Sequence, residues 1–208
     1  MLYHNNRPVN THRRHNYAER FFQWRTFKAD TQELRERIIA DFESVTSEVR
    51  NEKYFLLPGR RNVMPRLIDD TTFEIRSLIS DSTVLNDNEP VELWERSITT
   101  SFPMKRTTSA TIGSSIPRFR GSLNSVATAD SLSESLQRKS KYFEAIKSRD
   151  TYKLGAVTAE ISEIKIEGVV HHSVALQSAE KGAILDLIKK YGLKSADNTN
   201  VADHFLAS

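Results

Sequence analysis

The chain has no cysteine among its 208 residues, which excludes disulfides and every thiolate-based metal or redox site. With 7 glycines, it contains neither a glycine-rich phosphate loop nor a dinucleotide-binding fingerprint. No serine sits in a nucleophile elbow, so Ser-His-Asp chemistry has no footing. No apolar run nears the roughly 18 residues of a membrane span. The opening MLYHNNRPVNTHRRHNY lacks the apolar centre of a secretory signal. Charge of one sign is also scarce. Thirty Lys and Arg against 27 Asp and Glu leave a net +3, which favours an anionic ligand but is too small to single out nucleic acid. The expectation is a cytoplasmic protein with no membrane segment.

What is present is clearest between Ala156 and Leu193. Val157, Ala159 and Ile161 alternate with Thr158, Glu160 and Ser162, the period of two of a strand. Gly168 is suited to the positive φ of a tight turn. Val170, His172, Val174 and Leu176 then alternate with His171, Ser173, Ala175 and Gln177. His171 and His172 therefore face opposite sides and do not chelate one ion together. Ser178 reads as an N-cap, and Ile184, Leu187, Ile188 and Tyr191 recur at helical spacing. Gly192 then suits a left-handed helix end. This is a hairpin feeding a helix that covers a sheet.

Earlier in the chain, residues 1–16 form a basic tail, expected to be flexible. Residues 17–208 are expected to form one domain. Tyr17–Phe27 reads as a strand with Phe22 and Trp24 on a core face and Glu19, Gln23 and Arg25 opposite. Asp30–Arg50 reads as a helix, with Asp30 and Glu33 as its capping box and Leu34, Ile38, Phe42 and Val45 as its buried stripe. Strands are expected at Asn51–Leu57, Val63–Leu67, Thr71–Ile79 and Val91–Phe102. In the third of these Thr72, Glu74 and Arg76 share one face. Residues 103–135, rich in Ser and Thr, read as an insertion that is largely mobile. A strand is expected again at Lys141–Lys147.

The strand carrying Glu160, the strand HSVALQS with its helix and YGL, and the tail Asn200–Leu206 resemble the end of CYTH domains, the triphosphate tunnel superfamily. The LWER…FPM wording resembles a bacterial subset of such proteins. The resemblance implies an α+β fold: an antiparallel β-barrel, closed or nearly closed, with flanking helices. Its lumen would hold triphosphate, polyphosphate or a nucleotide, usually with a divalent metal. The family's first strand, Glu-x-Glu-x-Lys, becomes Phe21-x-Gln23-x-Arg25, which keeps the cation and loses both carboxylates. Shifting by two positions recovers Glu19 alone. The family's Arg-x-Arg strand becomes Met64-x-Arg66, and the lysine of its partner becomes Arg76. Ala175 and Gln177 stand where the late strand usually carries carboxylates.

On this resemblance Arg25, Arg66, Arg76, Lys139 and Lys141 line an anion tunnel, since guanidinium forks match phosphate oxygens. Arg66 and Arg76, pointing inward from neighbouring strands, repel each other and call for an anion between them. The alternative for that hairpin is cross-strand charge pairing. Glu19, Glu74 and Glu160 are the carboxylates placed for Mg2+ or Mn2+, hard cations that take oxygen ligands. No residue is assigned a catalytic role. The expected function is binding of a phosphorylated anion with weak or no phosphohydrolase activity. The alternative is a non-catalytic regulatory or protein-interaction module.

Overall fold

The computed structural model describes residues 18–28, 31–80, 90–116 and 128–207. Segments with period-two alternation become the strands β1 (Glu19–Thr26), β2 (Glu43–Leu56), β3 (Val63–Ile68), β4 (Thr72–Ser80), β5 (Glu92–Ser101), β6 (Lys141–Leu154), β7 (Val157–Ile166) and β8 (Val169–Ser178). They close into an antiparallel barrel of order β1-β5-β4-β3-β2-β6-β7-β8. The closing seam pairs Phe22 with Ser178 and Arg25 with Ala175. Closure satisfies every strand edge, and the pleat sends alternate residues into the lumen and outward.

Helices cover two outer faces of the barrel. Helix α1 (Gln32–Asp41) and helix α4 (Lys181–Tyr191) lie over Trp24, Val157, Ala159, Ile161, Val174 and Leu176. Gly192 ends α4 at φ 66°, and the Leu193 amide donates back to the Ile188 carbonyl. Helices α2 (Arg106–Ser115) and α3 (Ala129–Gln137) cover Phe55, Leu57, Leu67, Phe73 and Ile75. A last short helix, α5 (Val201–Ala207), closes one end of the barrel. Its Val201, Ala202 and Phe205 pack on the inward-facing Tyr54, Leu56, Met64, Ala145, Ile164 and Ile166.

Three expectations are corrected. The first helix stops at Asp41, and residues 43–50 extend β2, which pairs with β6 along its whole length. Val45, assigned to a buried helical stripe, is an exposed strand residue. The β-branched Val45, Thr46 and Val49 favour a strand, and β6 supplies the partner. The basic tail of residues 1–16 and Asp30, read as the cap, lie outside the described residues. The Ser/Thr-rich segment, given no helix or strand of its own, contains α2 and most of α3, and its residues 117–127 lie outside the described residues. Ile112 in α2 with Ile116 at its C-terminal cap, and Leu132 with Leu136 in α3, give each short helix one buried i, i+4 pair. Thr128 and Ser131 cap α3 reciprocally. Finally, helix α4 starts at Lys181 without a side-chain cap; the Ser178 hydroxyl accepts from the Glu180 amide just before it.

A bulge in β5 changes which side chains enter the lumen. Ile75 pairs with Ile98, but Arg76 pairs with Arg96, so Ser97 is the extra residue. The bulge turns Arg96 to the lumen while Ile98 joins the outer core under α2 and α3. Without it, two residues of equal parity would face the same side.

Candidate functional site: an ion network in the barrel lumen

Seven of the eight strands deliver charge to the lumen. Arg25 comes from β1; Glu48, Arg50 and Glu52 from β2; Arg66 from β3; Glu74 and Arg76 from β4; Glu92 and Arg96 from β5; Lys147 and Arg149 from β6; Glu160 from β7. They form two three-cation groups, each around one carboxylate. Glu74 receives Arg66 Nη2 at 2.7 Å, Arg76 Nε at 2.6 Å and Arg96 Nε at 2.9 Å. Glu160 receives Arg25 Nη2 and Lys147 Nζ at 2.9 Å each, and Arg149 Nη1 at 3.1 Å. Glu52 links the groups: it takes Arg66 Nη1 at 3.1 Å and Arg50 Nε at 3.2 Å. Arg50 then approaches Glu48, which Arg149 also holds. The chain of ion pairs runs unbroken from Arg96 to Arg25.

Burial and charge compete here, and the pairing wins for the carboxylates. Burial pushes Glu52 and Glu74 upward, but Arg66 and its neighbours bring both down to about 2. Glu160 is likewise pushed up by burial and carried well below the usual range by Lys147 and Arg25. The cations share less evenly. Burial and then repulsion from Arg66 bring Arg76 down to about 10, despite Glu74. Burial lowers Lys147 as well.

Around the ions the lumen is nearly full. A space of only about 10 Å³ remains among Gln23, Arg25, Tyr54, Arg66, Arg76, Trp94 and Lys147. Towards α5, Trp94 Nε1 donates to Glu92 at 2.9 Å, and Asn200 Nδ2 donates to the other oxygen of Glu92 at 3.0 Å. Where β1 meets β8, Gln177 Nε2 donates to Gln23 Oε1 at 3.0 Å. This amide pair occupies two positions at which the resemblance expects carboxylates.

The residues singled out from the sequence divide cleanly. Arg25, Arg66 and Arg76 converge in the lumen with Glu74 and Glu160. Lys141 reaches only the α5 end, where its ammonium donates to the Phe205 carbonyl at 3.0 Å. Lys139 lies in the turn before β6. Glu19 is on the rim, its carboxylate paired with Arg96 and its side chain 62% exposed. Glu19, Glu74 and Glu160 therefore do not form one donor set. Glu74 and Glu160 each sit among three cations, a field that opposes a dication. Among the described residues no three His, Asp or Glu side chains come together as metal ligands. The donors present do not fit Mg2+ or Mn2+.

Sequence reasoning missed Glu48, Arg50, Glu52, Glu92, Arg96, Lys147 and Arg149. Lys147 was within reach, since it has the same strand parity as Lys141. Glu48 and Arg50 were hidden by reading that stretch as helix.

No protein-family model matches the chain, and no curated protein matches it. Solved structures do. The PH1012 protein of Pyrococcus horikoshii OT3 superposes with a TM-score of 0.51 at 16% identity, over 86% of this chain and 94% of that one. A conserved hypothetical protein of Pyrococcus furiosus gives 0.50 at 16% identity, with the same coverage. A putative adenylate cyclase of Bacillus halodurans gives 0.48 at 11% identity, over 88% and 95%. The closed order of eight antiparallel strands, in a fold shared with the two Pyrococcus proteins, is the barrel that the resemblance to CYTH domains implies.

Proposed function

We propose that the chain binds a phosphorylated anion through the cations of its barrel, without a divalent metal and without hydrolysing it. One observation carries the reading: a cationic surplus in a walled site. Arg25, Arg50, Arg66, Arg76, Arg96, Lys147 and Arg149 share the lumen with Glu48, Glu52, Glu74, Glu92 and Glu160, and with Glu19 on the rim beside Arg96 the cations still outnumber the carboxylates among the described residues. Arg50, Arg96 and Arg149 remain partly open to solvent, with side chains 13%, 30% and 24% exposed. Arg50 Nε and Nη2 approach carboxylates without making a hydrogen bond. The exposed parts of these three guanidinium groups are what a phosphate would meet first, with the two buried Arg50 nitrogens behind them. Absence of turnover is expected from the carboxylates, which are held by arginine and lysine and so are not free to hold a metal or activate water.

A second reading is favoured by the small remaining space. In it the ion network is only a core, and the barrel takes no anion. Calorimetric titration with inorganic tripolyphosphate in EDTA separates the two. Saturable binding that magnesium does not strengthen, with no orthophosphate released, is the expected result. No heat of binding leaves the structural-core reading standing, and magnesium-dependent release of phosphate overturns both.

A further inference from the structure

Arg66 and Arg76, two cations on neighbouring strands, call for an anion between them. The fold contains one, and it is the protein's own Glu74. Its carboxylate is the meeting point of Arg66, Arg76 and Arg96, at 2.7, 2.6 and 2.9 Å. Glu160 has the same position among Arg25, Lys147 and Arg149. An arginine fork binds a carboxylate and a phosphoryl group through the same parallel N–H donors, so either anion fits there.

We infer that Glu74 and Glu160 are built-in anions that occupy the two cation groups and hold the barrel closed to anions of a single charge centre. The inference rests on the anion-binding reading for the class of ligand. An incoming anion must displace a carboxylate that is covalently tethered and already in contact with three cations. Tethering gives the carboxylate a high effective concentration, which a free ion of one charge centre does not match. Orthophosphate or sulfate replaces one group at most. An oligophosphate presents several oxyanion centres on one molecule and engages both groups, gaining the same multivalent advantage. The barrel is then selective for oligophosphates over orthophosphate, and its selectivity is set by its carboxylates rather than by its arginines.

Neither group is fully satisfied, and in the Glu74 group the buried Arg96 Nε lies by the carboxylate without a hydrogen bond. Arg76 is depressed by burial and by Arg66, so it keeps demand for an anion even with Glu74 in contact. In the other group the Arg25 Nε and Ser162 Oγ atoms are buried without a hydrogen-bond partner, although Arg25 Nη1 donates to Ser173 at 2.7 Å. Register places Ser162 opposite Ser173, so these unused donors are neighbours. Each group has capacity beyond its own carboxylate.

The test removes one negative charge at constant shape. Glu74→Gln and Glu160→Gln are compared with the parent chain for binding of orthophosphate and of tripolyphosphate. Glu95→Gln is the control for net charge, because Glu95 pairs with the exposed rim residue Arg20. Each lumen variant is expected to bind orthophosphate at least tenfold more tightly than the parent, while the control is unchanged. Should a variant be unfolded in buffer, recovery of its circular dichroism in orthophosphate is the equivalent gain. Two outcomes overturn the inference: neither variant gains by either readout, or Glu95→Gln gains as much as they do. If the parent fails to bind tripolyphosphate but Glu74→Gln binds orthophosphate, the proposed function fails and the built-in anions stand. If the parent binds tripolyphosphate and neither variant gains, the reverse holds.

Discussion

The two halves of the lumen are filled in opposite ways. Near α5 the inward positions are Tyr54, Leu56, Met64, Ala145, Ile164 and Ile166, covered by Val201, Ala202 and Phe205. Beyond them the same strands turn to Glu52, Arg66, Lys147 and Glu160. Apolar filling is stabilising in proportion to the area removed from water. A buried ion network is different: its desolvation cost nearly cancels its attraction, and an apolar core of equal volume does as well or better. The apolar half thus adds stability outright, whereas the ionic half adds little as a whole yet is costly to break one charge at a time, so its presence must be explained by what it does. Tyr54 marks the border. Its ring is in the apolar cluster while its hydroxyl donates to Glu52, and burial pushes its own ionisation upward.

Acid breaks the ionic half and there gives the largest effect. Glu52 and Glu74 titrate near 2 in the fold and near 4.5 as free groups. Their contribution is present above pH 4.5 and is lost as the pH falls through 4.5 towards 2. A shift of that size is on the order of 3 kcal/mol for each group. Urea unfolding midpoints should therefore change little from pH 7 to 5 by comparison with a steep drop below 4.5. A flat profile down to pH 3 would remove the distinction between the halves.

Phe205→Ala breaks the apolar half. Phe205 is 3% exposed and meets the rings of Phe27, Phe143, His171 and His204 at centroid distances of 4.8–5.8 Å. Its truncation should cost about 3 kcal/mol in urea unfolding at pH 7. At pH 4 the loss should differ only through the adjoining His171 and His204 rings, because no carboxylate of the network is involved.

The smallest effect comes where α5 is tied to the barrel. His204 Nε2 and His171 Nδ1 are 3.1 Å apart, so one ring must donate and the other accept. Burial, and then the neighbouring His171, hold His204 below its ordinary 6.5. Lys141, on the Phe205 carbonyl, adds positive charge at this end; Asp203 is engaged by Arg61 and Asn200. The stability from the neutral pair is complete above pH 6.5 and is lost as the pH falls below it. The parent's melting temperature should decline between pH 7 and 5, and His204→Phe should flatten that decline. An equal decline in both would exclude the pair as its source.

How much of this was legible in sequence depended on strand parity. The alternation of Thr72, Glu74 and Arg76 with Phe73 and Ile75, and of Glu160 with Ala159 and Ile161, placed those residues correctly. Parity says which face a residue takes but not how far along the barrel it lies. Lys141 and Lys147 share a face, and only strand tilt and closure decide that Lys147 reaches Glu160. The β5 bulge at Ser97 breaks parity without a glycine or proline to announce it. Residues 43–50 carry apolar positions compatible with either period, and the choice was made by β6, about a hundred residues later in the chain.

The closing seam also sets an order in time. β1 has two neighbours, β5 and β8, and the residues that pair with Phe22 are Leu93 and Ser178. A ribosome adding 5–20 residues per second needs roughly 8–30 seconds between making Phe22 and making Ser178. Through that interval Phe21, Phe22 and Trp24 have at most one of their partner strands, and the barrel cannot close. Exposure of these side chains to aggregation is therefore greatest before β8 emerges, and a pause just upstream of residue 169 would prolong it.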